Sequence, residues 1–289
     1  GSQADFPMEK AQGAQVIDAK GSLVTPGLID AHTHLVFGGW RQHEIPLKLA
    51  GAGYLDILRM GGGIVSTVRH TREASEEELL QRSEGFLNEM LSMGVTSCEI
   101  KSGYGLDLGN ELKQLRVIKK LQETHPMDID ATFLGAHAVP EEYKDDPDGF
   151  VDLLVEKILP AVAEEKLARC CDVFCETGAF DVPQSRKVLM AGKALGLVPR
   201  IHADEIDAIG GAELSAEVGA LSAEHLIASN EEGMQAMAKG GVIADLLPAT
   251  SFYLDKTFAP ARRMVELGIP VVIASDFNPG SCPSLNLPF

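Results

Sequence analysis

Positive charge is scarce in this chain: 25 lysines and arginines stand against 42 aspartates and glutamates, a formal net charge of −17 over 289 residues. That balance argues against nucleic acid as a partner, because the phosphate backbone needs a basic face. It suits a soluble cytoplasmic protein and says little about substrate, since a small site can be locally positive. No apolar run approaches the roughly 20 residues that cross a bilayer as a helix, so no membrane role is suggested. Gly1-Ser2-Gln3 lacks a basic leader and an apolar core, and reads as an expression scar. Cysteine is scarce and odd in number. Three of the five, Cys170, Cys171 and Cys175, share one short apolar run with no histidine, which fits buried small hydrophobes of a reduced protein better than a zinc cluster. There is no low-complexity linker and no internal repeat.

What is present suits a single large core: 45% hydrophobic and 23% charged residues, in a length ordinary for an α/β barrel. Eight short β-branched apolar runs, at 28–33, 95–101, 129–136, 170–175, 197–201, 220–224, 242–247 and 271–275, alternate with segments of helical period. Helices are expected over 75–93, where Ser75 and Glu78 make a capping pair, and over 110–123, 148–164, 183–195, 211–218, 230–239 and 260–267. Gly94, Gly196, Gly219, Gly240 and Gly268 fall where left-handed C-caps belong. Strands alternating with helices give a parallel sheet through right-handed crossovers, and eight units predict an α/β fold of the TIM (β/α)8 type over 26–289. Residues 1–25 offer two possible small strands, 15–19 and 22–25, of a preceding element. After the eighth run only 278–289 remain, rich in Pro, Gly and Ser, so a final helix and a C-terminal segment are expected in a longer protein of which this is a part.

The chemistry begins at LIDAHTHLVFGG, residues 28–39. Alternate residues of a strand share a face, so His32 and His34 project together at metal-ligand spacing. Pro26-Gly27 opens the run and Phe37-Gly38-Gly39 ends it, placing both histidines at the strand's C-terminal end, where barrel enzymes hold their reactive groups. Later strand ends carry Glu99 to Gly105, His137, His202-Ala203-Asp204-Glu205, Glu224-His225 and Asp276-Phe277-Asn278. His32, His34, His202 and Asp276 thus offer three imidazoles and a carboxylate, a set that suits one divalent ion, zinc or iron, with a position left for water. Coordination of that kind brings a water's pKa to roughly 7. Glu205, three residues past His202, is placed to take the water's proton and carry it to a leaving nitrogen, and His225 to hold the same water or polarise a carbonyl. A lone histidine on an apolar strand is more often a core residue than a ligand. On spacing alone His137 therefore carries no role, and His43, His70 and His125 belong to surface or loop.

At these residues the chain resembles the amidohydrolase superfamily and, within it, the imidazolonepropionase family. The matching motifs are PGLIDAHTHLVFGG, Met60-Gly61-Gly62-Gly63-Ile64, EIKSGYGLD at 99–107, FLGAHAVP, FCETGAFD, HADE and SDFNPGS, from Pro26 to Ser281. SGYG, HADE and DFNPGS are far more specific than His-x-His. The resemblance implies hydrolysis of the lactam C–N bond of 4-imidazolone-5-propanoate to N-formimino-L-glutamate, in histidine degradation. It implies one metal on His32, His34, His202 and Asp276, Glu205 as acid and base, and His225 assisting the attacking water. It adds a substrate pocket that spacing could not supply: Arg41, Tyr54, Tyr104, His137 and Asn278, with Gly280 and Ser281 close by. A guanidinium fork and a phenol donor suit a propionate carboxylate on a small anionic heterocycle. It further implies a homodimer, and a small β-sandwich domain built from both termini of which 1–25 would be a remnant. Some superfamily members bridge two metals with a carbamylated lysine on strand four. Here strand four offers Cys175 and Glu176 while Lys101 lies on strand two, which favours a mononuclear site. Two other readings stay open, a nucleobase-type deaminase with the same ligand pattern and a metal-binding inactive scaffold; Arg41 with Tyr104 separates the first, since a neutral base needs no anion clamp.

Overall fold

Each expected apolar run forms a strand in the computed structural model, which describes residues 8–51, 57 and 60–288. They are β1 Leu28–Asp30, β2 Val95–Lys101, β3 Asp128–Ala136, β4 Cys170–Cys175, β5 Val198–Ala203, β6 Ser222–His225, β7 Ile243–Leu246 and β8 Val271–Ile273. All pair in parallel, each with its sequence neighbour, in the order β1 to β8. That order is the outcome of repeated right-handed crossovers, and helices between the strands cover the sheet's outer face.

The ring closes beyond the ends of β8 and β1. Thr33 bridges Phe277 in parallel, the His34 N–H donates to the Phe277 carbonyl at 2.9 Å, and the Asp276 N–H donates to the His32 carbonyl at 3.0 Å. Closure therefore falls on the segments that carry His32, His34 and Asp276. β1 and β8 are shorter than the expected runs, yet past them the Thr33 carbonyl still accepts from the Lys101 N–H at 2.9 Å and the Ala274 N–H still donates to the Leu246 carbonyl at 3.1 Å, so the segments that close the ring stay tied to their neighbouring strands.

Several of the helices start where short polar side chains cap them. Ser75 and Glu78 form a reciprocal capping box ahead of Glu76–Ser92, Asp181 and Gln184 another ahead of Val182–Ala194, and Asp107 and Asn230 cap Leu108–Thr124 and Glu231–Gly240. The helix expected over 148–164 runs as Pro147–Leu153, a π turn Leu154–Ile158, and Leu159–Glu164. Pro160 has no N–H to give the preceding turn and its ring needs room there, which the wider turn provides. Among the described residues three α-helices, Ile64–Glu73, Pro248–Tyr253 and the short Ile45–Leu49, arise in stretches with no expected helical period. The first follows three glycines and starts from Gly63 at φ 68°, so it carries no polar cap of the kind that marks Glu76–Ser92 or Val182–Ala194.

Gly94, Gly196, Gly219 and Gly268 take the left-handed turns expected of them. Gly240 does not: it is the last helical residue, and Gly241 at φ 70° makes the turn. Gly240 is small because a Cβ there would meet the Ala216 Cβ at 2.9 Å. The strands expected at 15–19 and 22–25 are likewise not formed. Among described residues before β1 the regular structure is the 3-10 turn Met8–Ala11, and Val16, Ile17, Leu23 and Val24 are each at least 78% exposed. A strand needs a partner for its ladder and a surface for its side chains, and these runs have neither within the described chain.

Gly38 lies against the backbone of Ile64–Glu73, where an added Cβ would run into the His70 carbonyl and the Thr71 nitrogen, whereas a Cβ on Gly85, in Glu76–Ser92, meets nothing within 4 Å. Gly38→Ala should therefore cost about 1–3 kcal/mol. Gly85→Ala should stabilise by about 0.5–1 kcal/mol. Urea unfolding of the two variants reads the opposite signs.

Candidate metal and active site

Four ligand-type atoms converge where the barrel closes. His32 and His34 project to one side of Thr33, which is itself tied down by its hydroxyl, donating to the Glu99 carbonyl at 2.7 Å. The His32 and His34 Nε2 atoms are 3.1 Å apart, and His202, from β5, places its Nε2 3.4 Å from that of His34. Asp276 Oδ1 lies 3.4 Å from His32 Nε2 and 3.3 Å from His34 Nε2. Ligands at about 2.0–2.1 Å around a tetrahedral ion stand roughly 3.3–3.4 Å from one another, so these separations are those of a coordination shell. His225 joins a second trio with His32 and His202, whose ligand atoms lie within 4.8 Å. All five residues are buried.

The electrostatics suit a cation. Burial pushes the His34 imidazole down and the His202 imidazole well down, leaving neutral rings with lone pairs to offer. Burial also acts to lower His32, but the Glu224 charge beside it outweighs this and raises it to about 10. Asp276 stays well below the usual carboxylate range despite its burial, held there by hydrogen bonds from His32 and His34. The cup thus favours a positive charge at its centre, which a divalent ion would supply in place of a proton.

Backbone strain aims the surrounding groups. Asp204, His225, Leu226 and Asp276 all have φ between 53° and 70°, in the left-handed region that side chains other than glycine rarely take. These residues fall at or just past the ends of β5, β6 and β8, where the chain turns sharply and its side chains face the barrel mouth. Glu205 follows Asp204, with its Oε2 3.8 Å from His225 Nε2 and its Oε1 4.0 Å from Lys256 Nζ. On the other side of the cup His137 stacks on His34, with ring centroids 4.9 Å apart and 16° between planes, and its Nδ1 lies 3.1 Å from the Gly103 carbonyl. The Tyr104 ring is 5.3 Å from that of His137.

The remaining expected residues gather on the loop after β8. Asn278 spends its side chain on that loop: Oδ1 accepts from the Gly280 and Ser281 N–H groups at 2.9 and 2.7 Å, and Nδ2 donates to the Asp276 carbonyl and the Ser281 hydroxyl at 2.7 and 2.8 Å. Gly280 leaves space for Arg41, since a Cβ on it would land on the guanidinium. Arg41 is mostly buried, and its nearest carboxylate among the described residues, Glu44, is 3.8 Å away. Tyr54 lies outside the described residues.

Five buried residues at the site were given no role by spacing. Glu224 Oε2 sits 2.8 Å from His32 Nδ1, and Asp172 Oδ2 sits 3.0 Å from His202 Nδ1. Lys101 and Arg200 lie among those carboxylates. Thr250 donates its hydroxyl to Asp276 Oδ2 at 2.6 Å, leaving Oδ1 to face the cup. A signal was available for four of them: each is a charged residue inside a strand, as in CCDVFC and SAEH. Thr250 has no such mark, because its helix is the unanticipated Pro248–Tyr253.

Comparison with known proteins places this architecture. The amidohydrolase family profile matches residues 15–59. An imidazolonepropionase of Alkaliphilus oremlandii is 53% identical over 285 residues, covering 98% of this chain and 67% of that protein. The chain belongs to the imidazolonepropionase family. A second member, from Alkaliphilus metalliredigens, is 57% identical over 279 residues, covering 96% of this chain; the chain spans 66% of that relative's length. Among solved structures, the 5-methylcytosine deaminase of Klebsiella pneumoniae shares the fold at a TM-score of 0.67 and 16% identity, over 92% of this chain and 68% of that one.

Thr250→Val should leave the buried Asp276 Oδ2 without its donor and destabilise the fold by about 1–3 kcal/mol, while Thr250→Ser keeps the hydroxyl and most of the stability. Denaturant melts of the pair measure the difference.

Proposed function

We propose that the protein containing this chain hydrolyses the lactam C–N bond of 4-imidazolone-5-propanoate, giving N-formimino-L-glutamate. The reading is carried by one juxtaposition: a buried cup of three imidazoles and a carboxylate has Glu205 and His225 on one side, and Arg41 seated against Gly280 on the loop that follows Asp276. His32, His34, His202 and Asp276 would hold one divalent ion, and imidazole with carboxylate suits zinc and iron alike. Bound there, such an ion supplies Lewis acidity, bringing a water's pKa toward neutrality and polarising a carbonyl oxygen. Glu205 takes the proton of the water that attacks the lactam carbon and returns it to the ring nitrogen as the C–N bond breaks. His225, 3.8 Å from Glu205, faces the oxygen on which charge develops. Arg41 receives the propionate; a mostly buried guanidinium with no carboxylate in hydrogen-bond range among the described residues is ready for an anion. His137 and Tyr104 wall the ring's other side. A deaminase acting on a neutral base would use the same cup and leave Arg41 without a task.

Glu205→Gln should keep the metal while turnover falls by roughly 10²- to 10⁴-fold. Elemental analysis and an ultraviolet assay of imidazolonepropionate consumption test both halves, and near-parental turnover would remove Glu205 from the chemistry. Arg41→Ala should raise KM roughly ten- to a hundredfold with a smaller change in kcat. Gly280→Ala, which pushes the guanidinium from its seat, should move KM in the same direction. An unchanged KM in both variants rejects the clamp.

A further inference from the structure

Beneath the metal cup lies a layer of charge sealed from solvent. Lys101 and Glu224 are 0% exposed, as is Asp172, and Glu99, Arg200 and Asp245 are at most 6% exposed. The interior of such a barrel is ordinarily filled by branched apolar side chains, because an ion taken out of water is costly unless it is fully paired. Here the pairing is dense. Lys101 Nζ is 2.9 Å from Glu99, 2.8 Å from Asp172 and 3.0 Å from Glu224. Arg200 Nε is 2.7 Å from Glu224 Oε1, and its Nη2 reaches Asp245 at 3.2 Å and the Ala31 carbonyl at 2.9 Å.

The layer meets the cup at two carboxylate oxygens. Glu224 Oε2 lies 2.8 Å from His32 Nδ1 and 3.3 Å from His202 Nδ1, and Asp172 Oδ2 lies 3.0 Å from His202 Nδ1. Asp172 is immobilised further by its Oδ1, which accepts the N–H groups of Val173 at 2.7 Å and His202 at 3.2 Å. An imidazole whose Nδ1 faces a carboxylate carries its proton there and opens its Nε2 lone pair the other way. The Nε2 atoms of His32 and His202 are the ones that face the cup.

We propose that Glu224 and Asp172 are positioning residues that set the tautomer and ring orientation of His32 and His202, and that Lys101 and Arg200 hold the two carboxylates in register for that task. Glu99 belongs to the same layer and touches Lys101, yet it reaches no imidazole. It therefore separates a positioning role from the general cost of disturbing buried charge. The inference rests on the metal site of the proposed function.

The test uses the full-length protein with Glu224→Gln, Asp172→Asn and Glu99→Gln, each removing one charge at nearly constant volume. Divalent-metal affinity is measured by chelator competition, and ligand geometry by the visible absorption of the cobalt(II)-loaded protein. The first two variants should bind zinc roughly 10- to 100-fold more weakly than the parent and shift the cobalt bands. Glu99→Gln should keep both, even where its melting temperature falls as far as theirs. Parental affinity and spectrum in Glu224→Gln and Asp172→Asn would overturn the proposal, and so would an equal loss of affinity in Glu99→Gln. If one of the two positioning variants fails to fold, the other decides, since each is the nearest carboxylate to a different histidine Nδ1. A parent that binds no divalent ion would remove the metal site itself, an outcome distinct from a parent that binds while its variants bind equally well.

Discussion

The closure of the barrel rests on a few backbone hydrogen bonds between the segment after β1 and the segment after β8, and the candidate metal cup depends on them. His34 and Phe277, and Asp276 and His32, are joined main chain to main chain, so the three ligand groups nearest the seam are brought together by the same bonds that finish the ring. A carboxylate 244 positions along the chain from its partner histidine thus reaches 3.4 Å from it without needing any contact of its own. Slippage of that seam by one residue would turn His32 and His34 away from the mouth, because strand side chains alternate.

The interior below the cup follows from the same constraint. Once imidazoles are buried at the mouth, their inward nitrogens need compensating charge, and Glu224 and Asp172 lie 2.8 and 3.0 Å from those of His32 and His202. Buried carboxylates in turn need cations, and Lys101 and Arg200 stand between them. Asp245, at the edge of this layer and 3.2 Å from Arg200, is pushed up to about 7 by burial and by the Glu224 charge, against the pull of the neighbouring cations. On the outer side of the cup, Thr250 holds the second oxygen of Asp276 and His137 stacks on His34, so the four ligand groups are supported from several directions.

Much of this architecture is legible in the order of residues. The alternation of apolar runs with capped amphipathic segments is local, and local patterns determine the eight strands, most of the helices and the strand ends on which His32, His34, His202 and Asp276 fall. The glycines show where such reading stops: Gly240 and Gly241 are equivalent as turn residues in sequence, and a close approach to Ala216 decides which of them turns. The 15–19 and 22–25 runs have strand composition and form none among the described residues, because a ladder is a property of two segments.

The sequence by itself determined the rhythm of the barrel and, through residue type and spacing, the groups able to bind a cation, since both depend on periods of two and of 3.6 residues. Tertiary structure alone decided what lies against each of those groups. Glu224 facing His32, Asp172 facing His202, Thr250 facing Asp276 and Gly280 making room for Arg41 are contacts between residues tens to hundreds of positions apart. They exist because the ring closes at one register, and no single stretch of chain contains the information to place both partners.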